Sequence, residues 1–160
     1  MKNIIIYATK YGSTEKAAKM LKSKLTGDVL LVNVLKEKVP SLEEYDQIIL
    51  GGSIYMGRVQ KELTEFIEKN LSLLLKKKVG LFICAGSPDP AARQKELETV
   101  FPAELYNHAS TKELFGYELT FEKMGFLDKT ITRAMKGDKN SVSELNEAAM
   151  ERFAKVMLDT

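Results

Sequence analysis

Short runs of apolar residues alternate along the chain with segments in which apolar residues recur every three or four positions. The apolar runs have the length of buried β-strands, and the intervening segments have the periodicity of amphipathic helices. Strands that alternate with helices in this way are typical of a parallel sheet covered on both faces. The pattern therefore predicts an α/β fold with a doubly wound, five-stranded parallel sheet.

The same pattern predicts the approximate bounds of each element. The helix at the carboxyl end is preceded by Ser141-Val142-Ser143-Glu144, which has the form of a capping box. No linker or internal repeat interrupts the chain, so residues 1–160 are predicted to form a single domain, with a helical insertion at about 120–139. The predicted strands are 3–8, 28–35, 47–51, 79–84 and 114–119, and the predicted helices are 13–25, 58–70, 91–100 and 143–158.

Composition narrows the classes of function. The formal net charge of +2 is too small to indicate a nucleic-acid partner. The single cysteine excludes an intrachain disulfide framework, and one cysteine with one histidine provides no paired ligand spacing for a metal cluster. No apolar run is long enough to span a bilayer and no signal peptide is recognisable, so we expect a cytoplasmic protein.

The first strand is followed by a turn rich in hydroxyl groups and then directly by a helix. Backbone N–H groups and hydroxyls gathered at the positive end of a helix bind phosphate without arginines. The turn lacks both G-x-G-x-x-G and the P-loop sequence, which excludes the common dinucleotide and nucleoside-triphosphate sites. A binding module for some other phosphate stays open as an alternative. The candidate phosphate ligands are Thr9, Lys10, Tyr11, Gly12, Ser13 and Thr14.

The run from Ile5 to Thr14, continuing to Ala18 and Leu21, resembles the signature of the flavodoxin family. The resemblance implies strand order 2-1-3-4-5, FMN as the cofactor, and its 5′-phosphate on the first loop. It also implies that the flavin ring contacts the loop after the third strand, where the peptide between Met56 and Gly57 turns toward the reduced ring. The candidate ring contacts in this second loop are Ser53, Ile54, Tyr55, Met56 and Gly57.

The loop after the fourth strand provides the remaining candidate contacts, which are Cys84, Ala85, Gly86 and Ser87. Shuttle flavodoxins commonly place a tyrosine in this loop, whereas this chain has small residues and proline. The resemblance therefore implies a flavin with one face uncovered, which would admit a flat substrate or a quinone. The thiol of Cys84 itself is interpreted as a small buried hydrophobe.

Residues 120–139 are long for a connection in this fold, and they carry apolar residues at helical spacing with Lys129, Arg133 and Lys136 beside them. Such a helix would contact a membrane surface, cover a substrate or pack on the core. Together with the Gly52–Gly57 loop, this segment is similar to the flavodoxin-type, quinone-dependent protoporphyrinogen IX dehydrogenases. That resemblance implies a porphyrinogen substrate, a quinone acceptor and peripheral contact with the inner face of the membrane.

An electron carrier between soluble redox enzymes remains the alternative function, with a redox protein as its partner. The weak positive charge argues against it, because shuttle flavodoxins as a family are strongly acidic. No side chain is assigned a catalytic role, since the flavin would carry the chemistry. The sequence thus predicts an FMN-dependent oxidoreductase and leaves its electron donor and acceptor open.

Overall fold

The computed structural model describes residues 2–9, 12–54, 57–86, 89–119 and 142–159. Five strands form one parallel sheet: β1 Lys2–Ala8, β2 Asp28–Asn33, β3 Gln47–Ser53, β4 Lys78–Cys84 and β5 Thr111–Leu114. Their order across the sheet is β2-β1-β3-β4-β5. The predicted fold class and strand order are therefore confirmed.

Helices cover both faces of this sheet and follow the strands in the alternation that the sequence predicts. The helices are α1 Ser13–Lys22, α2 Lys61–Leu74, α3 Pro90–Thr99, α4 Ala103–His108 and α5 Glu147–Leu158, with a 3-10 turn at Leu42–Glu44. Pro90 opens α3, and the Asp89 carboxylate caps that helix by accepting a hydrogen bond from Ala91 N at 3.0 Å. Most observed bounds lie within a few residues of the predicted ones.

The alternation of side chains along the strands divides the core into two layers. In β1, Ile4 and Ile6 pack with residues of α2, α3 and α4 on one face. Ile5 and Tyr7 pack with residues of α1 and α5 on the opposite face. Because successive side chains of a strand point to opposite faces, a run of consecutive apolar residues serves both layers at once. The result is a three-layer α/β/α domain.

Three phenylalanines form the centre of the layer beside α5. Phe82 and Phe115 stack with ring centroids 4.6 Å apart, and Phe153 of α5 meets both rings edge-on. Two glycines leave room for these rings. A Cβ on Gly51 would lie 2.0 Å from the Phe82 ring, and one on Gly80 would lie 2.5 Å from the Phe153 ring. Glycine is required at both positions for steric reasons.

The predicted fifth strand, 114–119, is wrong in its bounds. The strand that joins the parallel sheet is Thr111–Leu114, and it ends before Phe115. Gly116 then adopts φ of 80°, which turns the chain away from the sheet. Residues Gly116–Leu119 form β6, which pairs antiparallel with β7, Val142–Leu145. The sequence of β5 is polar, so the pattern of apolar runs did not identify it as a strand. An edge strand is only half-buried and does not need an apolar run.

The predicted start of the last helix at Ser143 is also wrong. Ser143 belongs to β7, and α5 begins at Glu147. Asn146 is the residue that caps it, since the Asn146 side chain accepts a hydrogen bond from Ala149 N at 3.0 Å. Pairing with β6 therefore prevails over the capping box that the sequence suggested.

The predicted helical insertion at 120–139, with its basic residues Lys129, Arg133 and Lys136, lies outside the described residues. The described strands β6 and β7 lead into and out of this segment. Among the helices that the structure describes, none combines the length and apolar character needed to cross a membrane.

Replacement of Gly80 by alanine tests the packing of α5 on the sheet. The added methyl group would overlap the Phe153 ring and come within 3.0 Å of Met157 Sδ. We expect the free energy of unfolding to fall by about 1–3 kcal/mol, measured by urea denaturation. Ser72→Ala, on the exposed side of α2, is the control, with an expected change within about 0.5 kcal/mol. Equal stability of Gly80→Ala and the wild type would contradict the described packing.

Candidate functional site

The three predicted site loops leave adjacent strands at the same edge of the sheet. Ala8 lies opposite Gly52 in the β1–β3 pair, and Ser53 lies opposite Cys84 in the β3–β4 pair. The segments that follow these strands therefore begin side by side. This edge lies at the carboxyl ends of the strands, where the strand order reverses between β1 and β3, and open α/β sheets bind ligands at such a point.

The first loop ends at Gly12, which precedes α1 with φ of 91°. Gly12, as the N-cap residue of α1, has no side chain with which to cap the helix. The amides of the first turn have no acceptor within the helix, so they depend on the loop or on a ligand for one. The N–H of Gly12 donates to Thr9 Oγ1 at 2.9 Å. The Thr9 oxygen thus serves as an acceptor, and its own hydrogen is left to be donated elsewhere.

Thr14 is fully buried in the first turn of α1, and its hydroxyl has no hydrogen-bond partner within the described residues. Burial raises the pKa of the nearby Cys84 thiol to about 12, and the Thr14 hydroxyl opposes this effect only in part. The hydroxyl would stabilise a thiolate, yet at the observed positions it makes no hydrogen bond with the neutral thiol. Cys84 is therefore a buried, protonated core residue, as its sequence context predicted.

Tyr7 and Glu15 form a polar contact beneath the first loop. Tyr7 OH donates to Glu15 Oε1 at 3.0 Å, while the tyrosine ring lies in the core. Burial, then the hydrogen bond to Glu15 and the charge of that carboxylate, raise the pKa of Tyr7 to about 12, with a further contribution from Glu37. This contact joins the end of β1 to the first turn of α1 and so fixes the loop between them.

The second loop begins at Ser53 and is closed by the side chain of Gln60. Gln60 Nε2 donates to Ser53 Oγ at 3.0 Å, and the Ser53 N–H donates to Gln60 Oε1 at 3.4 Å. Val59 anchors the loop in the core. Gly57 is exposed with φ of 79°, and apart from its chain neighbours no described residue lies within 4 Å of the place where its Cβ would be. The described part of the loop therefore combines a fixed base with a glycine that has space around it.

The third loop starts at the peptide group between Cys84 and Ala85, whose carbonyl and N–H are both hydrogen-bonded. The Cys84 carbonyl accepts from Ile54 N at 2.8 Å, and Ala85 N donates to the Gly116 carbonyl at 3.1 Å. Ala85 is buried and Gly86 is half-buried. This arrangement ties the third loop to the second loop on one side and to β6 on the other.

Residues 4–145 of the chain match the family model of the flavodoxin domain. The chain belongs to the flavodoxin domain family. A relative from Methanocaldococcus jannaschii, itself uncharacterised, is 30% identical over 99% of both chains. The quinone-dependent protoporphyrinogen IX dehydrogenase of Escherichia coli is 33% identical over 79 residues, which are 46% of this chain and 42% of the dehydrogenase.

Solved structures support the same fold for this flavodoxin-domain chain. A short-chain flavodoxin associated with a bacterial microcompartment superposes with a TM-score of 0.62 at 14% identity, over 99% of this chain and 97% of the other. A WrbA-like flavodoxin from Agrobacterium tumefaciens gives a TM-score of 0.57 at 17% identity, over 98% and 95% of the two chains. At these identities the likeness concerns the fold alone.

In this flavodoxin-domain chain, the structure brings most of the predicted site residues to one edge of the sheet. Five of the predicted contacts, Lys10, Tyr11, Tyr55, Met56 and Ser87, lie outside the described residues. Sequence reasoning missed Gln60, whose side chain contacts Ser53. No local signal marks this contact, because the sequence predicts that the helix begins at residue 58, and only the structure shows that Gln60 is the N-cap residue of α2. The residues at the described edge are Thr9, Gly12, Ser13, Thr14, Ser53, Ile54, Gly57, Cys84, Ala85 and Gly86.

The raised pKa of Tyr7 predicts a loss of stability in alkali. Its folded pKa of about 12 exceeds the ordinary value of 10.0. The contribution of protonated Tyr7 to the free energy of unfolding is therefore fully present below pH 10 and is lost as the pH rises from 10 toward 12. The free energy of unfolding falls in this window by at most about 1.4 kcal/mol per pH unit. We expect the stability advantage of the wild type over Tyr7→Phe to shrink across this window, measured by urea unfolding. An advantage independent of pH would contradict the Tyr7–Glu15 contact.

Proposed function

We propose that the chain binds FMN, with the 5′-phosphate at the amino end of α1. The observation that carries this proposal is the buried Thr14 hydroxyl, which has no partner within the described residues. A buried polar group without a partner costs roughly 1–3 kcal/mol. A phosphate oxygen at this helix end would supply the missing acceptor and also meet the positive end of the helix dipole.

The hydrogen bonds already present favour a ligand that accepts rather than donates. Thr9 Oγ1 accepts from Gly12 N, and Ser53 Oγ accepts from Gln60 Nε2. Each of these hydroxyls therefore has its own hydrogen left for a ligand. With the first-turn amides of α1, which have no acceptor within the helix, they would form a set of donors suited to an anion. Strand order 2-1-3-4-5 adds support, although flavodoxins themselves are among the examples behind that rule.

The flavin ring would rest between the second and third loops. Gly57 has space around it and a backbone conformation that only glycine adopts without strain. The backbone of Ala85 and Gly86, at the start of the third loop, would contact the ring from the other side. FMN, when bound, supplies transfer of hydride or of single electrons, and the chain supplies binding and orientation.

Substitution of Thr14 by alanine separates binding from folding. With FMN we expect affinity to fall about tenfold to a hundredfold, because a hydrogen bond to a charged group is lost. Without FMN we expect equal or higher stability, since the change removes a buried hydroxyl that lacks a partner. Flavin fluorescence quenching measures the affinity, and thermal unfolding measures the stability.

Thr99→Ala is the matched control, because the Thr99 hydroxyl donates to Lys95 O on the exposed side of α3. It should leave FMN affinity unchanged. A wild-type protein that neither quenches FMN fluorescence nor gains thermal stability from FMN would refute the proposed cofactor. The alternative of a site for a different phosphate would then be favoured.

We further propose that the flavoprotein oxidises protoporphyrinogen IX and passes the electrons to a quinone. Three observations support this over an electron carrier. The third loop has no aromatic residue to cover the flavin, and the partial similarity to the Escherichia coli dehydrogenase points to the same reaction. The net charge of +2 also lacks the acidity that steers carriers to basic partners.

An anaerobic assay distinguishes these two functions. We expect the FMN-loaded protein to convert protoporphyrinogen IX into fluorescent porphyrin with a menaquinone analogue as acceptor. Lys129→Gln, Arg133→Gln and Lys136→Gln combined should abolish quinone-coupled turnover and leave FMN affinity intact, if the basic segment serves the enzyme. Absence of turnover, with rapid electron exchange to a soluble redox protein that weakens in salt, would favour the carrier.

A further inference from the structure

Gln60 is the N-cap residue of α2, yet its side chain makes no bond to that helix. Its backbone carbonyl alone begins the helix, accepting from Leu63 N and Thr64 N. The side-chain amide instead reaches back across the second loop to Ser53. A side chain at this position normally stabilises the helix by capping it. The Gln60 side chain contacts Ser53 instead of capping α2.

The orientation of the Gln60 amide follows from its partners. The backbone N–H of Ser53 can only donate, so the atom 3.4 Å from it must be the amide oxygen. The amide nitrogen then faces Ser53 Oγ at 3.0 Å, and it can only donate. Ser53 Oγ is therefore held as an acceptor, and its hydrogen must point away from Gln60.

We propose that Gln60 is a positioning residue that makes the Ser53 hydroxyl a fixed hydrogen-bond donor to the phosphate of the cofactor. This inference rests on the proposed binding of FMN. Ser53 directly follows Gly52, which lies opposite Ala8, so Ser53 and Thr9 occupy equivalent places at the ends of neighbouring strands. A phosphate held at the amino end of α1 would lie beside this pair of residues, and the Ser53 hydrogen, which is not used toward Gln60, would be available to one of its oxygens.

The competing explanation of the contact between Gln60 and Ser53 is that it only stabilises the base of the second loop. Substitutions at Gln60 would then loosen the whole loop and weaken every flavin equally. A donor directed at phosphate has a narrower effect, since only ligands that carry the phosphate would lose an interaction. Riboflavin, which has the same ring and no phosphate, distinguishes the two explanations.

Gln60→Glu replaces the amide nitrogen that donates to Ser53 Oγ with a carboxylate oxygen that can only accept, and the side chain keeps almost the same shape. A carboxylate still accepts from Ser53 N, but it also accepts the Ser53 hydroxyl hydrogen and so withdraws it from the ligand. We expect FMN affinity to fall about tenfold to a hundredfold and riboflavin affinity to change by less than about threefold. Fluorescence quenching gives both dissociation constants, and thermal unfolding without ligand reports on the loop itself.

A double-mutant cycle with Ser53→Ala removes the direct effect of the new charge. In the Ser53→Ala background, Gln60→Glu should weaken FMN binding only a few-fold, because the hydroxyl that it redirects is gone. Asn70→Asp is the matched control. It makes the same amide-to-carboxylate change on α2, where Asn70 Nδ2 donates to the Phe66 carbonyl, about 15 Å along the helix from Gln60. It should alter neither affinity.

Equal weakening of FMN and riboflavin, or an undiminished effect of Gln60→Glu in the Ser53→Ala background, would overturn this role of Gln60. Neither result would affect the proposal that FMN binds. A wild-type protein without affinity for FMN would overturn both.

Discussion

Both hydrophobic layers press on the carboxyl end of β3. On one face, the Phe82 ring occupies the space where Gly51 would carry a Cβ, and on the other, Val59 and Leu63 do the same at Gly52. The backbone therefore reaches the edge of the sheet along a path fixed from both sides. Because Ser53 follows at once, the geometry of the site is set by close packing that begins two residues earlier.

A second property of the site is that the described groups proposed to bind the phosphate are neutral. They are the first-turn amides of α1 and the hydroxyls of Thr9, Thr14 and Ser53, while the carboxylate in that turn, Glu15, accepts a hydrogen bond from Tyr7 OH. Neutral donors bind an anion through geometry more than through net charge, so their orientation matters greatly. This is why contacts such as those of Gly12 with Thr9 and of Gln60 with Ser53, made within the protein, bear on the ligand.

Sequence reasoning predicted the parts of the fold in which local pattern and burial agree. The apolar run of β1, the hydroxyl-rich turn and α1 were recognisable together, and the alternation of strands and helices indicated the layers. The strand order came from the resemblance to flavodoxins. It failed where pairing with a distant segment decides the structure. β5 is a polar edge strand, and Ser143 joins β6 although the local sequence suggests a helix cap. Gln60 was missed because its role depends on Ser53, seven residues away.

The peptide between Cys84 and Ala85 uses both of its polar groups, one toward Ile54 and the other toward Gly116. The place from which the third loop departs is thus decided by neighbouring strands and hardly by the residues of the loop. Side chains there can be exchanged over evolution, or by an engineer, while the backbone keeps its starting point. Flavodoxin-like proteins built this way can acquire a new reaction by altering what the loop presents, with the supporting architecture left as it was.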